Sequence, residues 1–361
     1  MEPKILLESQ ELLQENNVKR IVPKVAWLNV NRGCNLRCKW CYAQNTNYLS
    51  NKEMSLDFAK EMALLLKNLG IRKISIIGGE PTLWQPLFEF NRFCIENKIN
   101  TSLVTNGMRF GNDKYWAEYQ EHPNISAPWC SLKAFDLKSL QDSCGVSNFQ
   151  EVSIGLKRAL EFFKCGVSFV YNSCYSDNLL DMARYSMELG AKSVRICPCT
   201  PAFVENIAID EYMIETGLFI SNVVKNYDKL CEITKNKLSF SMKMPLCLWP
   251  KDFIEMLIQK KQMTSTCQVQ KRSGIIFDTD GKVILCNFLF DYPIGTYNED
   301  FNDHKSLLDL LNSDKILDYY DRINSYPSHK CIGCPKYSIC SGGCPLNWAV
   351  NNPEEIIKGW N

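Results

Sequence analysis

Cysteine placement constrains this chain more than any other feature: 18 cysteines stand in 361 residues, and they are unevenly spread. Cys34, Cys38 and Cys41 form one knot, and Cys331, Cys334, Cys340 and Cys344 form another. In a reducing compartment such knots read as metal ligands or redox groups rather than as a disulfide framework. The histidines, His122, His304 and His329, are too few and too scattered for a histidine-rich metal site. Sulfur is the ligand to expect.

The remaining composition is that of an ordinary soluble globular protein, with 45% hydrophobic and 22% charged residues. A net charge of +1 gives no electrostatic reason to expect nucleic acid or an acidic membrane surface as partner. No apolar run approaches the length of a membrane span. The opening stretch MEPKILLESQELLQENN lacks the basic-then-apolar order of a signal peptide, so a cytoplasmic location is expected.

Periodicity places the knots in a fold. Residues 1–22 read as an amphipathic lead-in helix. Strands are expected at 25–30, 73–77, 101–105, 129–133, 167–171 and 193–196, with helices at 55–69, 87–97, 153–164 and 179–189 between them. Ser55 is the expected N-cap of the first of these helices. Repeated strand–helix units with near-continuous apolar strands imply an α/β fold, a parallel sheet covered by helices. About six units fit before residue 235, short of the eight of a closed barrel, so a partial (β/α)6 TIM-like barrel or an open sheet is expected. After residue 240 the character changes. Residues 274–286 read as a β-hairpin turning at Asp280-Gly281, and from Ser325 the chain is rich in Cys, Gly and Pro. The expected division is 1–22, 23–240 and 241–361, the last a small cysteine-rich, loop-rich domain in need of staples.

The first knot, Asn31-Arg-Gly-Cys34-Asn-Leu-Arg-Cys38-Lys-Trp-Cys41, directly follows the first strand, where a parallel barrel carries its functional loops. Thiolates spaced C-x3-C-x2-C can hold three corners of a cubane cluster and leave the fourth iron open. A zinc knuckle would want a fourth Cys or His nearby, and an electron-transfer ferredoxin site a fourth cysteine; none follows before Cys94. The pattern resembles the signature of radical S-adenosylmethionine (SAM) enzymes, C-x3-C-x-aromatic-C, with Trp40 in the aromatic place. That resemblance implies a [4Fe–4S] cluster on Cys34, Cys38 and Cys41 whose open iron is chelated by SAM.

Further motifs fall in the family's order. Gly78-Gly79-Glu80-Pro81 looks like the GGE turn that holds the SAM amino group, with glycines for close backbone approach and Glu80 to accept from an ammonium. Thr105-Asn106-Gly107 resembles the next family turn. Ser131 and Lys133 are candidates for the SAM ribose and carboxylate, and Asn172 for a further polar contact; a purely structural role suits each equally well. Where many relatives carry an Arg-Gly pair for the carboxylate, this chain reads Ser143-Cys144-Gly145, which leaves Lys133 as a point-charge substitute.

The distal cysteines, Cys267, then Gly281-x4-Cys286, then Cys331-x2-Cys334-x5-Cys340-x3-Cys344, are similar to the SPASM domain that follows the barrel in many radical SAM enzymes. This resemblance implies one or two auxiliary [4Fe–4S] clusters. Cys267, Cys286 and Cys344, with Cys247 as candidate fourth ligand, would hold the first, and Cys331, Cys334 and Cys340 the second. The family's pattern carries one more cysteine than this sequence, so the second cluster is expected to have an open iron or a non-cysteine ligand, or to be absent. A zinc ribbon on Cys331, Cys334, Cys340 and Cys344 would leave Cys267 and Cys286 unexplained. Of the other cysteines, Cys94, Cys130, Cys144, Cys165, Cys174 and Cys231 read as small buried residues. Cys197 and Cys199, at a strand end, are candidate hydrogen donors.

The resemblance implies reductive cleavage of SAM to a 5′-deoxyadenosyl radical and hydrogen abstraction from a substrate. The leading expectation is a ribosomally synthesised peptide that gains a thioether or carbon–carbon crosslink. Formylglycine formation as in anaerobic sulfatase maturases, peptide epimerisation and a small-molecule reaction are the alternatives; an iron–sulfur carrier or scaffold is the non-enzymatic one. A flavodoxin- or ferredoxin-type electron donor is implied. About thirty residues precede Cys34, too few for a winged-helix leader-binding domain, so a separate leader-binding partner or the barrel itself is expected to hold a peptide substrate.

Overall fold

The structure is a computed structural model that describes residues 21–43, 52–71, 73–204, 207–264, 267–324 and 327–360. The expected lead-in helix lies outside these but for its last two positions. Six strands alternate with helices in the first half: β1 Val25–Asn29, β2 Lys73–Ile77, β3 Asn100–Thr105, β4 Trp129–Leu132, β5 Val167–Tyr171 and β6 Val194–Pro198. A small hairpin, β7 Ala202–Val204 and β8 Ile207–Ile209, stands apart from them, and β9 Leu238–Ser241, β10 Met263–Thr264, β11 Gly274–Phe277, β12 Lys282–Ile284 and β13 Gly295–Thr296 follow.

Eleven of these strands form one sheet in the order β10-β9-β6-β5-β4-β3-β2-β1-β11-β12-β13. Every neighbouring pair from β10 to β11 is parallel, so the sheet is the expected partial barrel. It does not stop at residue 240. β11 lies alongside β1 with Val25 opposite Gly274, which satisfies the backbone of what would otherwise be an open edge. The hairpin expected at 274–286 is present, with Ile276 opposite Ile284, and hangs on the barrel through β11.

The strands alternate rather than run continuously apolar. Ile74 and Ile76 of β2, Phe169 of β5 and Ile196 of β6 are buried, while Ser75, Ser168 and Arg195 face the half-buried other side. One face packs on the helices and the other lines a polar lumen, where the Ser75 and Ser102 hydroxyls lie 3.2 Å apart. Helix α1, Leu56–Asn68, shows how the cover forms. Ser55 caps it by accepting from Phe58 N–H, and Ala59, Met62, Ala63 and Leu66 bury one stripe.

Helices α2 Leu87–Glu96, α3 Asp113–Glu121, α4 Leu137–Cys144, α5 Phe149–Phe163, α6 Leu179–Glu188 and α7 Thr216–Thr234 continue the layer. The short α4, absent from the periodicity reading, is set by a capping box between Asp136 and Ser139. Beyond α8, Lys251–Gln259, the distal part contains α9 His304–Leu311 and α10 Asp314–Asn324, and is loop-rich only from Ser328 onward.

Candidate active site

The candidate residues meet because they follow parallel strands at their C-terminal ends, which share one edge of the barrel. The loop after β1 is stitched to the turn after β2: Val30 N–H donates to Ile77 O, Gly79 N–H to Asn31 O and Glu80 N–H to Gly33 O. A Cβ on Gly78 would overlap Asn31, and one on Gly79 would overlap the Gly33 carbonyl. The two glycines therefore let the cysteine loop lie against the turn.

Glu80 is held by the same loops. Its buried carboxylate is committed within the protein: Oε1 accepts from Thr82 N–H (3.2 Å), the Thr82 hydroxyl (2.7 Å) and the Thr105 hydroxyl (2.7 Å). Oε2 accepts from Asn106 N–H at 2.8 Å. Burial raises its pKa against these four hydrogen bonds. Asn106 in turn donates through Nδ2 to Asn35 Oδ1 at 2.8 Å, inside the cysteine loop. Glu80, Thr105 and Asn106 thus clamp three strand-end loops together, with Pro81 starting the short turn that Glu80 caps. The nearby acceptor left without a partner is the buried Oδ1 of Asn31, beside Gly78, which sequence reasoning missed.

Asn172 is likewise spent locally: it accepts from Cys174 N–H and donates to Val170 O, both at 2.9 Å, as the cap of a tight turn. Trp40 packs edge-on against Tyr175, with ring centroids 5.5 Å apart. Arg32 of the cysteine loop makes a buried ion pair with Asp278 at the end of β11.

Lys133 donates to Ser131 Oγ at 2.8 Å and projects toward the knot. Burial works against its charge, but Cys38, Cys144, Cys41 and Cys34 outweigh burial and raise its pKa. Burial and the Glu80 charge push Cys34 up to about 12, burial raises Cys41, and the adjacent Cys144 together with burial raises Cys38. Cys144, in the stretch that departs from the family's Arg-Gly pair, has its sulfur 3.5 Å from that of Cys38. Leu36 N–H already points at Cys34 Sγ, 3.4 Å away.

Among the described residues no three His, Cys, Asp or Glu side chains converge as a single metal ion requires. A four-iron cube holds its thiolates farther apart than one ion does, and the donor set here is all sulfur, with Cys38 buried and Cys34 and Cys41 half-buried, amide-supported at Cys34 and near a cation. It suits a [4Fe–4S] cluster, whose binding would release the thiol protons. The free Asn31 acceptor and the Lys133 cation suit the ammonium and carboxylate of SAM.

The distal cysteines fall into two groups, and not as expected. Cys286 lies in electrostatic reach of Cys344 and Cys267; burial pushes Cys286 to about 12 and Cys344 to about 11. Cys247 stands with the other group: burial pushes Cys331 to about 11, and Cys340, Cys247 and Cys334 raise it further. Cys340 also feels Cys247, and its sulfur accepts from Leu246 N–H at 3.3 Å. Cys247, expected as candidate fourth ligand of the Cys267, Cys286 and Cys344 set, thus stands in electrostatic reach of Cys331 and Cys340. The reason is local: the turn Leu246–Leu248 is folded onto Cys340.

Lys243, also missed from sequence, reaches both ways. It lowers the thiol pKa of Cys286 and Cys344 on one side, and of Cys197 and Cys199 on the other, in each case against burial. Cys197 also feels Arg195 and Lys133. A cavity of about 220 Å³ lined by Trp129, Ser168, Arg195 and Ser239 opens at the opposite, N-terminal end of the strands and takes no part in this site.

Residues 28–204 match the Radical SAM superfamily, and the chain belongs to it. A probable GTP 3′,8-cyclase from Methanococcus maripaludis is 28% identical over 167 residues, 45% of this chain and 55% of that protein. A GTP 3′,8-cyclase from Pasteurella multocida is 31% identical over 140 residues, 37% of this chain and 40% of that protein. The chain thus spans about half the length of these curated relatives. SuiB of Streptococcus suis, solved bound to precursor peptide SuiA, shares the fold at TM-score 0.66 and 19% identity, over 97% of this chain and 78% of that one. Structures of anSMEcpe with bound AdoMet and a Cp18Cys peptide share it at TM-score 0.64 and 20% identity, over 92% and 91%. Among the described residues no helix is long and apolar enough to cross a membrane.

Proposed function

We propose that this radical SAM enzyme acts on a ribosomally synthesised peptide and forms a thioether or carbon–carbon crosslink in it. The observation that carries the reading is the joint arrangement at one barrel mouth: a three-thiol loop beside Lys133, and Lys243 leading from Cys197 to a second set of thiols. The fold shared with two proteins solved with bound peptides supports the substrate class.

When bound, the cluster and SAM supply a 5′-deoxyadenosyl radical that takes a hydrogen atom from the substrate. Cys34, Cys38 and Cys41 would hold that cluster; Asn31 would accept from the SAM ammonium, and Lys133 would meet the SAM carboxylate. Glu80, Thr105 and Asn106 fix the loops that carry them. Lys243 acts on Cys286 and Cys344 and also on Cys197 and Cys199, which would let the first auxiliary set and the two candidate hydrogen donors serve one substrate. A flavodoxin- or ferredoxin-type protein supplies the electron.

The test is the mass change of candidate peptides incubated with anaerobically reconstituted protein, SAM and reductant. Loss of two hydrogens supports crosslinking. Unchanged mass with deuterium taken from solvent indicates epimerisation, and a cysteine thiol replaced by an aldehyde indicates formylglycine formation. The relatives named GTP 3′,8-cyclase favour a second reading, a radical reaction on a nucleotide, which predicts turnover of GTP and none of any peptide.

A further inference from the structure

Residues 243–248 leave the end of β9 and run between the two distal thiol groups. The Lys243 carbonyl accepts from Cys344 N–H at 2.7 Å and from Asn347 Nδ2 at 3.0 Å. Gly343, at φ +82°, has no room for a Cβ against Lys243 O and Pro245 N. Three residues further on, Leu246 N–H meets the Cys340 sulfur at 3.3 Å. The segment is thus pinned at both ends, with Lys243 on the Cys286 and Cys344 side and Cys247 on the Cys331 and Cys340 side.

From this geometry we infer that Cys247, a barrel residue, is the fourth ligand of the second auxiliary [4Fe–4S] cluster, with Cys331, Cys334 and Cys340. The exchangeable iron then belongs to the first auxiliary cluster, on Cys267, Cys286 and Cys344, next to Lys243. This reverses the distribution expected from spacing alone, and it rests on the reading that the distal cysteines hold clusters. Chemically, four thiolates close a cube, as in ferredoxin-type sites, and amide donors to sulfur such as Leu246 N–H support such ligands. Three thiolates leave one iron that takes an external anionic donor, which the Lys243 ammonium would favour.

The experiment uses the full chain with Cys34, Cys38 and Cys41 replaced by Ala, reconstituted anaerobically, so that only distal clusters remain. Iron content is measured, together with the electron paramagnetic resonance spectrum of the reduced protein with and without cyanide as a small anionic probe. Two distal clusters predict about eight irons, four per cube, with cyanide shifting the signal of one cluster only. Adding Cys247→Ala is expected either to remove about four irons or to make the second signal cyanide-sensitive. Adding Cys267→Ala is expected to affect the other cluster, and Cys231→Ala, far from both sets in sequence and on helix α7, reports on folding alone. If Cys247→Ala changes neither iron content nor the number of cyanide-sensitive signals, the assignment of Cys247 is overturned while the clusters stand. If the parent protein binds no distal iron, the assignment and the auxiliary-cluster reading fall together.

Discussion

Glu80 shows how far a motif residue can be held by the protein itself. Its four protein donors nearly exhaust the lone pairs of a carboxylate. Glu80→Gln puts an amide N–H against one of those donors and leaves a buried group unsatisfied. The expected cost is about 1–3 kcal/mol, read as a lower melting temperature in SAM-free protein. Unaltered stability together with lost SAM binding would return Glu80 to direct contact with the ammonium. The Arg32–Asp278 pair allows a sharper test. Asp278 is 1% exposed in its side chain, and Asp278→Ala takes the carboxylate from a buried guanidinium. A loss of about 3–5 kcal/mol is expected in denaturant unfolding. Neither partnership is visible in sequence: Glu80 reads as a ligand because its motif does, and Arg32 and Asp278 are 246 positions apart.

At the scale of elements, the strand-end loops position the chemistry, and their mutual contact is the vulnerable point. Gly79→Ala puts a methyl group into the Gly33 carbonyl and must move the cysteine loop. The expected result is loss of the N-terminal cluster, about four irons per chain, while the distal iron is retained; full iron loading would contradict it. The elements themselves were largely legible. β2 and β5 have the expected limits because Lys73-Ile-Ser-Ile-Ile77 and Val167-Ser-Phe-Val-Tyr171 are short β-prone runs between helical patterns. Helix α4 was not legible, since eight residues offer too little period to detect. The alternation of the strands was misjudged because Ser75, Ser168 and Arg195 line a lumen that only closure of the sheet creates.

Over the whole molecule, spacing identifies the thiol clusters along the chain, but three-dimensional folding decides which cysteines share a site. The resemblance already separates Cys344 from Cys331, Cys334 and Cys340, and Cys344 is in electrostatic reach of Cys267; that Cys247 lies in reach of Cys331 was not legible. The parallel pairing of β11 with β1 ties this distal region to the cysteine loop, as does the Arg32–Asp278 pair. Strands β11, β12 and β13 of the distal part therefore extend the barrel's own sheet.

The most direct measurement is of 5′-deoxyadenosine from SAM, made by anaerobically reconstituted, iron-loaded protein under a strong one-electron reductant. The expected result is 5′-deoxyadenosine and methionine in equal amounts, abolished by Cys34→Ala, Cys38→Ala or Cys41→Ala. Intact SAM in the presence of fully loaded wild-type protein, with peptide and nucleotide substrates alike, would contradict a radical generator at this barrel mouth.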